Sequence, residues 1–139
     1  MHPILRNVLA VIAGAVVGGV VNMAIITYGG ALVPLPEGVD PTNMDSLKEN
    51  MHRFTPLNFL VPFLAHAAGT LVGALIAALL AVGRKMPMAL IVGVFFLLGG
   101  VANVFMLPAP GWFIAVDLVL AYLPMAWLGG RLARGLSSR

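Results

Sequence analysis

Two ionisable side chains, His66 and Asp117, stand inside stretches that are otherwise almost wholly apolar. An aspartate near the centre of a membrane-spanning helix costs on the order of 2.5–3.5 kcal/mol on insertion scales, so it must face protein, face water or carry a proton. His66 is the only nearby cation available to it. A His66–Asp117 contact would hold one shared proton; the alternative is a structural hydrogen bond between two helices. Asn22, Asn103 and Thr70 complete the set of polar residues that could join them, with Thr27, Tyr28 and Tyr122 less telling. Amide hydrogen bonds between helices in membranes average only about 0.6 kcal/mol, so Asn22 and Asn103 read first as packing contacts and second as ligands.

Other chemistry finds no support in the chain. There is no P-loop, GxSxG, HExxH or EF-hand pattern. The absence of cysteine excludes disulfides, thiolate metal sites and CxxC redox chemistry. His2, His52 and His66 are not spaced as a metal site, and no cofactor motif is present. An enzyme using His66 and Asp117 as acid and base would lack a nucleophile, a metal set or a cofactor beside them.

The elements that position these residues follow from composition. Of 139 residues, 60% are hydrophobic and 9% charged, against roughly 25% charged in soluble domains. A chain this short has no soluble interior large enough to hide so much apolar surface, so its partner is the lipid bilayer. The net charge of +3 does not point to nucleic acid. A spanning helix needs roughly 20 mainly apolar residues. Four stretches qualify, at 5–32, 57–82, 87–107 and 111–132. This predicts a single all-α domain, a four-helix membrane bundle of two hairpins. Pro62 and Pro124 predict kinks in the second and fourth spans.

Lys and Arg set the expected orientation. Arg6, Arg84, Lys85, Arg131, Arg134 and Arg139 fall on one side of a four-span topology, and the loop 33–56 carries four of the five acids. Both termini are therefore expected in the cytoplasm and the 33–56 loop outside. In that frame Asn22, His66, Asn103 and Asp117 all lie in the outer half, roughly 8–15 Å below the outer face. Within the loop, Asp40-Pro41 reads as N-cap and N1, with Thr42-x-x-Asp45 as a looser cap. Met44, Leu47, Met51 and Phe54 share one helical face, predicting a short amphipathic helix at 42–54 that lies on the leaflet or caps the bundle.

Gly18-Gly19-Val20-Val21-Asn22 recurs as Gly99-Gly100-Val101-Ala102-Asn103. Both copies lie on spans running the same way, which suggests a parallel repeat about an axis along the membrane normal. Small residues mark where helices meet: Gly14, Gly18, Gly69, Gly73 and Gly99 are the expected close-packing positions.

The segments Pro34-Leu-Pro-Glu-Gly-Val-Asp40, Phe63-Leu-Ala-His-Ala-Ala-Gly69 and Pro108-Ala-Pro-Gly-Trp-Phe113 give the chain a layout that resembles an uncharacterised family of small bacterial four-span integral membrane proteins. The resemblance covers nearly the whole chain and brings no established activity. Small multidrug exporters are similar in size, but their pattern has a first-span glutamate that is absent here. Two functions remain open. One is an outward-facing polar pocket at Asn22, His66, Thr70, Asn103 and Asp117 that binds or transports a small solute or a proton. The other is a structural or accessory subunit of a larger membrane assembly with no activity of its own; the chain is expected to form a homo-oligomer or join a larger membrane complex.

Overall fold

The computed structural model describes all 139 residues, and every regular element is helical. The elements are α1 (Pro3–Leu32), α2 (Met44–Asn50) with a 3₁₀ turn at Met51–Arg53, α3 (Pro56–Leu80), α4 (Lys85–Met106), α5 (Gly111–Leu120) and α6 (Leu123–Ser137). Four helical units are long and apolar enough to cross a membrane: α1, α3, α4, and α5 with α6 together. The chain is thus a multi-pass membrane protein. Its "termini end" carries both termini and the α3–α4 turn; its "loop end" carries residues 33–55 and the α4–α5 turn.

Helix α3 is the centre of the bundle. It contacts α1, α4, α5 and α6, whereas α1 contacts only α3 and α4. Glycines explain how α1 and α3 come so close. A Cβ on Gly14 would collide with the Gly73 carbonyl oxygen, and one on Gly73 would lie 2.6 Å from the Gly14 oxygen. Gly18 and Gly69 repeat the arrangement one turn on, where added Cβ atoms would lie 2.5 and 2.8 Å from each other's carbonyl oxygens. Removing four Cβ atoms lets two backbones pack along a full face. Alanines serve the same purpose between α3, α4 and α6: Ala74, Ala77, Ala78, Ala89, Val92, Ala126 and Ala133 form the largest buried apolar cluster.

The ends are closed by hydrogen bonds. The Asn7 side chain accepts from the Val82 N–H (2.8 Å) and donates to the Val82 carbonyl (3.3 Å), which clasps α1 to the α3–α4 turn. At the loop end, Asn58 accepts from the Thr55 N–H (2.9 Å) and donates to the Pro34 carbonyl (3.0 Å), tying the start of α3 to the end of α1.

The loop helix differs from expectation at its start. Its cap is Asn43, whose side chain accepts from the Asp45 and Ser46 N–H groups at 2.9 and 3.1 Å. Asp40 instead turns on Thr42, accepting from its hydroxyl (2.7 Å) and its N–H (2.9 Å). These two bonds, the hydroxyl bond foremost, hold the Asp40 carboxyl below its ordinary value of 3.8. Asparagine caps as well as aspartate does, and the Asp40 carboxylate is already engaged by Thr42. The segment that follows the helix packs on the bundle: Met51, in the 3₁₀ turn, is buried with Phe59 and Phe113, and Phe54 packs beside them.

Three span boundaries also shift. Pro87 sits within the first turn of α4, where its missing N–H is not needed, so the helix begins at Lys85. Helix α3 ends at Leu80, two residues early, and runs unbroken through Pro62. The fourth span is two helices that meet at Ala121-Tyr122, two residues before Pro124, and it continues past 132 to Ser137.

Candidate functional site

His66 is half-turned inward from α3, and Asp117 is buried on α5. His66 Nδ1 lies 2.8 Å from Asp117 Oδ1. The other carboxyl oxygen, Oδ2, accepts the Tyr122 hydroxyl at 3.0 Å. The Tyr122 ring also stacks on His66, with centroids 5.7 Å apart and planes 26° from parallel. Three side chains from α3, α5 and the α5–α6 break therefore form one continuous chain of polar contacts within the apolar belt.

The break makes the chain possible. In a continuous helix, residues five apart point about 140° away from each other at 3.6 residues per turn. Asp117 and Tyr122 could not then share a bond. Pro124 has no N–H for the Leu120 carbonyl and crowds it. Helix α5 closes with the Ala121 N–H donating to Asp117 (3.0 Å), and α6 restarts with the Ala126 N–H donating to Tyr122 (2.8 Å). Tyr122, between them at φ −114° and ψ −80°, swings inward until only 2% of it is exposed. Gly100 on α4 provides the space, since a Cβ there would lie 2.5 Å from the Tyr122 hydroxyl oxygen.

Chemically, this is a proton-holding arrangement. The Tyr122 hydroxyl donates, so Oδ2 is an acceptor. One proton then lies on the Oδ1–Nδ1 line, carried by the imidazole beside a carboxylate or by the carboxyl group beside a neutral imidazole; the 2.8 Å separation accommodates either form. Where Nδ1 carries the proton and the ring is neutral, Nε2 is left as a basic nitrogen.

The remaining polar residues fall differently. Asn22 packs on Gly69, 3.0 Å from the position a Cβ would take there. Its Oδ1 is buried without a hydrogen-bond partner, and so is the hydroxyl of the fully buried Thr70, one turn from His66. Asn103 is exposed and takes no part. The repeat explains why. In the first copy, Gly18 is packed and Gly19 faces open space; in the second, Gly99 faces open space and Gly100 is packed. Gly18 and Asn22 are one turn apart on a helix–helix face, whereas Gly99 and Asn103 are one turn apart on the open side of α4. Gly99 is thus not a packing glycine, and the two copies are not equivalent in the fold. Their surroundings differ as well, since α3 contacts α4 while α1 does not contact α5 or α6.

Tyr122 and Gly100 are the functional positions that sequence reasoning undervalued. The available signal was Pro124, which predicts a disturbed helix at 120–123 and hence an inward-facing residue there. No family model, curated protein or solved structure matches this chain.

Proposed function

We propose that the chain is a small inner-membrane protein that binds or transports a proton at the His66–Asp117–Tyr122 junction, with both termini in the cytoplasm. The 2.8 Å contact between two ionisable groups within the membrane carries this reading. Ionisable groups at that depth are functional by default. The packing around the junction favours a proton over a larger solute: Tyr122 and Gly100 fill the space beside Asp117. Self-association belongs to the same reading, because a bundle whose centre is filled by alanine and valine leaves no room for a pore within one chain. A monomer by mass measurement in a gentle detergent counts against it.

The test uses Asp117→Asn. An asparagine can still accept from Tyr122 and donate to an unprotonated His66 Nδ1, so the bonds persist while the shared proton is lost. In liposomes containing a pH-sensitive dye and under an imposed pH gradient, the native protein is expected to carry protons well above the empty-vesicle rate. Asp117→Asn is expected to lower that rate at least tenfold with unchanged helical content. Native protein no faster than empty vesicles sinks the proposal.

A second reading is a structural subunit of a larger assembly. Its support is the saturation of Asp117, whose two oxygens are both occupied by protein donors. On that reading Asp117→Asn leaves co-purification with the partner unchanged.

A further inference from the structure

The termini end gathers Arg6, Arg84, Lys85, Arg131, Arg134 and Arg139, with no aspartate or glutamate among them. Three of these cations are engaged by the protein. Arg6 Nε donates to the Leu80 carbonyl (3.0 Å), Lys85 Nζ donates to the Ala78 carbonyl (3.1 Å), and the Arg131 guanidinium lies 5.1 Å from the Trp127 ring centre. Arg84 and Arg134 have no carboxylate within reach, since the molecule's one ion-pair contact is His66–Asp117. Both line a cleft of about 390 Å³, completed by Gly83, Lys85 and Pro87. The first turn of α4 opens beside it without a side-chain cap, so its free N–H groups add to a site suited to an anion.

Arg84 also borders a second cleft of about 600 Å³ between α1 and α4, whose walls include Ile4, Val8, Val11, Met88 and Ile91. These residues recur at three- and four-residue spacings, so the groove runs along both helices from the termini end into the apolar belt. Its length, from Ile4 to Val11, is about 10 Å at helical rise. Apart from Arg84 it has no charged wall.

We propose that Arg84 joins the two clefts into one binding site for an anionic phospholipid. The phosphate sits between Arg84 and Arg134, and an acyl chain fills the α1–α4 groove. Guanidinium groups match phosphate oxygens in pairs. An apolar groove opening directly from a paired-arginine cleft fits a molecule that is anionic at one end and hydrocarbon at the other. A free phosphate would leave the groove unused. The inference rests on the membrane-spanning fold and is independent of proton binding at His66 and Asp117.

The experiment uses the full chain, purified in a neutral maltoside detergent and stripped of lipid. Binding is read by native mass spectrometry and thermal melting with phosphatidylglycerol, with phosphatidylcholine of the same acyl chains, and with inorganic phosphate. Phosphatidylglycerol is expected to bind at least tenfold more tightly than phosphatidylcholine and to raise Tm. Its affinity should fall as salt is raised, while that for phosphatidylcholine stays constant. Arg84→Gln with Arg134→Gln should reduce phosphatidylglycerol to the phosphatidylcholine level. Val11→Trp should weaken it by filling the groove, and Arg139→Gln should leave it unchanged. Equal binding of the two lipids, salt-independent binding of phosphatidylglycerol, or its unaltered binding to the double variant overturns the proposal. Millimolar inorganic phosphate matching the lipid's stabilisation overturns it as well, by identifying a free-anion site. Should the double variant fail to fold, the salt titration on native protein decides alone.

Discussion

Asp117 illustrates what a buried carboxyl requires. It brings two acceptor oxygens into a region without water, and each must find a donor or be left at a cost of about 1–3 kcal/mol. His66 serves Oδ1 and Tyr122 serves Oδ2, from two different places in the chain. Their contributions differ in kind. The His66 ring nitrogen can stand as donor or acceptor according to its tautomer, whereas Tyr122 acts as a fixed donor that orients the carboxyl and keeps Oδ1 facing the imidazole. Tyr122→Phe removes this donor while retaining the ring that stacks on His66. A bond to a charged group contributes about 1.5–3 kcal/mol in water-soluble proteins, and bonds in bilayers run nearer 0.6 kcal/mol. We therefore expect Tyr122→Phe to destabilise the fold by about 1 kcal/mol in a reversible detergent-denaturation series. Proton flux should fall further than that loss accounts for, since the carboxyl is free to rotate. Unchanged flux in a folded Tyr122→Phe protein would assign Tyr122 to packing alone.

At the scale of elements, glycine placement separates what the sequence reveals from what it hides. The four spans are legible because length and apolarity fix a membrane helix without reference to its neighbours. The depth of a residue is legible for the same reason. Rotation about the helix axis is not, because it depends on which neighbours pack where. Asn22 and Asn103 share a local motif, yet one faces α3 and the other open space. The meeting of His66 and Asp117 was within reach of the sequence, as His66 is the lone ionisable group of its span and Asp117 the lone acid in any span. Tyr122 was not, since its direction depends on a break whose geometry only the fold supplies. Paired substitutions test this rotation. Gly18→Ala and Gly100→Ala each force a methyl group against a carbonyl oxygen or a tyrosine, and overpacking of this kind costs about 1–3 kcal/mol. Gly19→Ala and Gly99→Ala meet nothing within 4 Å and exchange glycine for the best helix former, a gain of up to about 1 kcal/mol. Melting temperatures should therefore move in opposite directions within each Gly-Gly pair, with the sensitive member second in one copy and first in the other. Matching order in both copies would restore the repeat as a structural symmetry.

For the whole molecule, charge asymmetry decides how the bundle lies in a membrane. Six of the eight Lys and Arg residues stand at the termini end, while Glu37, Asp40, Asp45 and Glu49 stand at the loop end beside only Lys48 and Arg53. All three connections between spans are short enough for the cationic bias to govern insertion. Trp127 and Trp112 lie toward opposite ends of the fourth span, each about half exposed, as interfacial anchors do. The absence of cysteine makes the orientation directly measurable, because any thiol introduced is the only one present. Ser138→Cys, beyond the last turn of α6, should react with a membrane-impermeant maleimide only after the cells are opened. Thr42→Cys, exposed in the 33–55 loop, should react in intact cells. The reverse pattern would place the loop in the cytoplasm and contradict the charge rule for this chain. It would also put His66, Asp117 and Tyr122 in the cytoplasmic half of the bilayer, and the half they occupy sets the face from which their proton is more readily exchanged. Labelling of both sites in intact cells would mean mixed insertion, which a bias of six cations to two should prevent. Replacing Arg84, Lys85 and Arg134 with glutamine should produce that mixture if the bias, rather than the loop sequence, is what orients the chain.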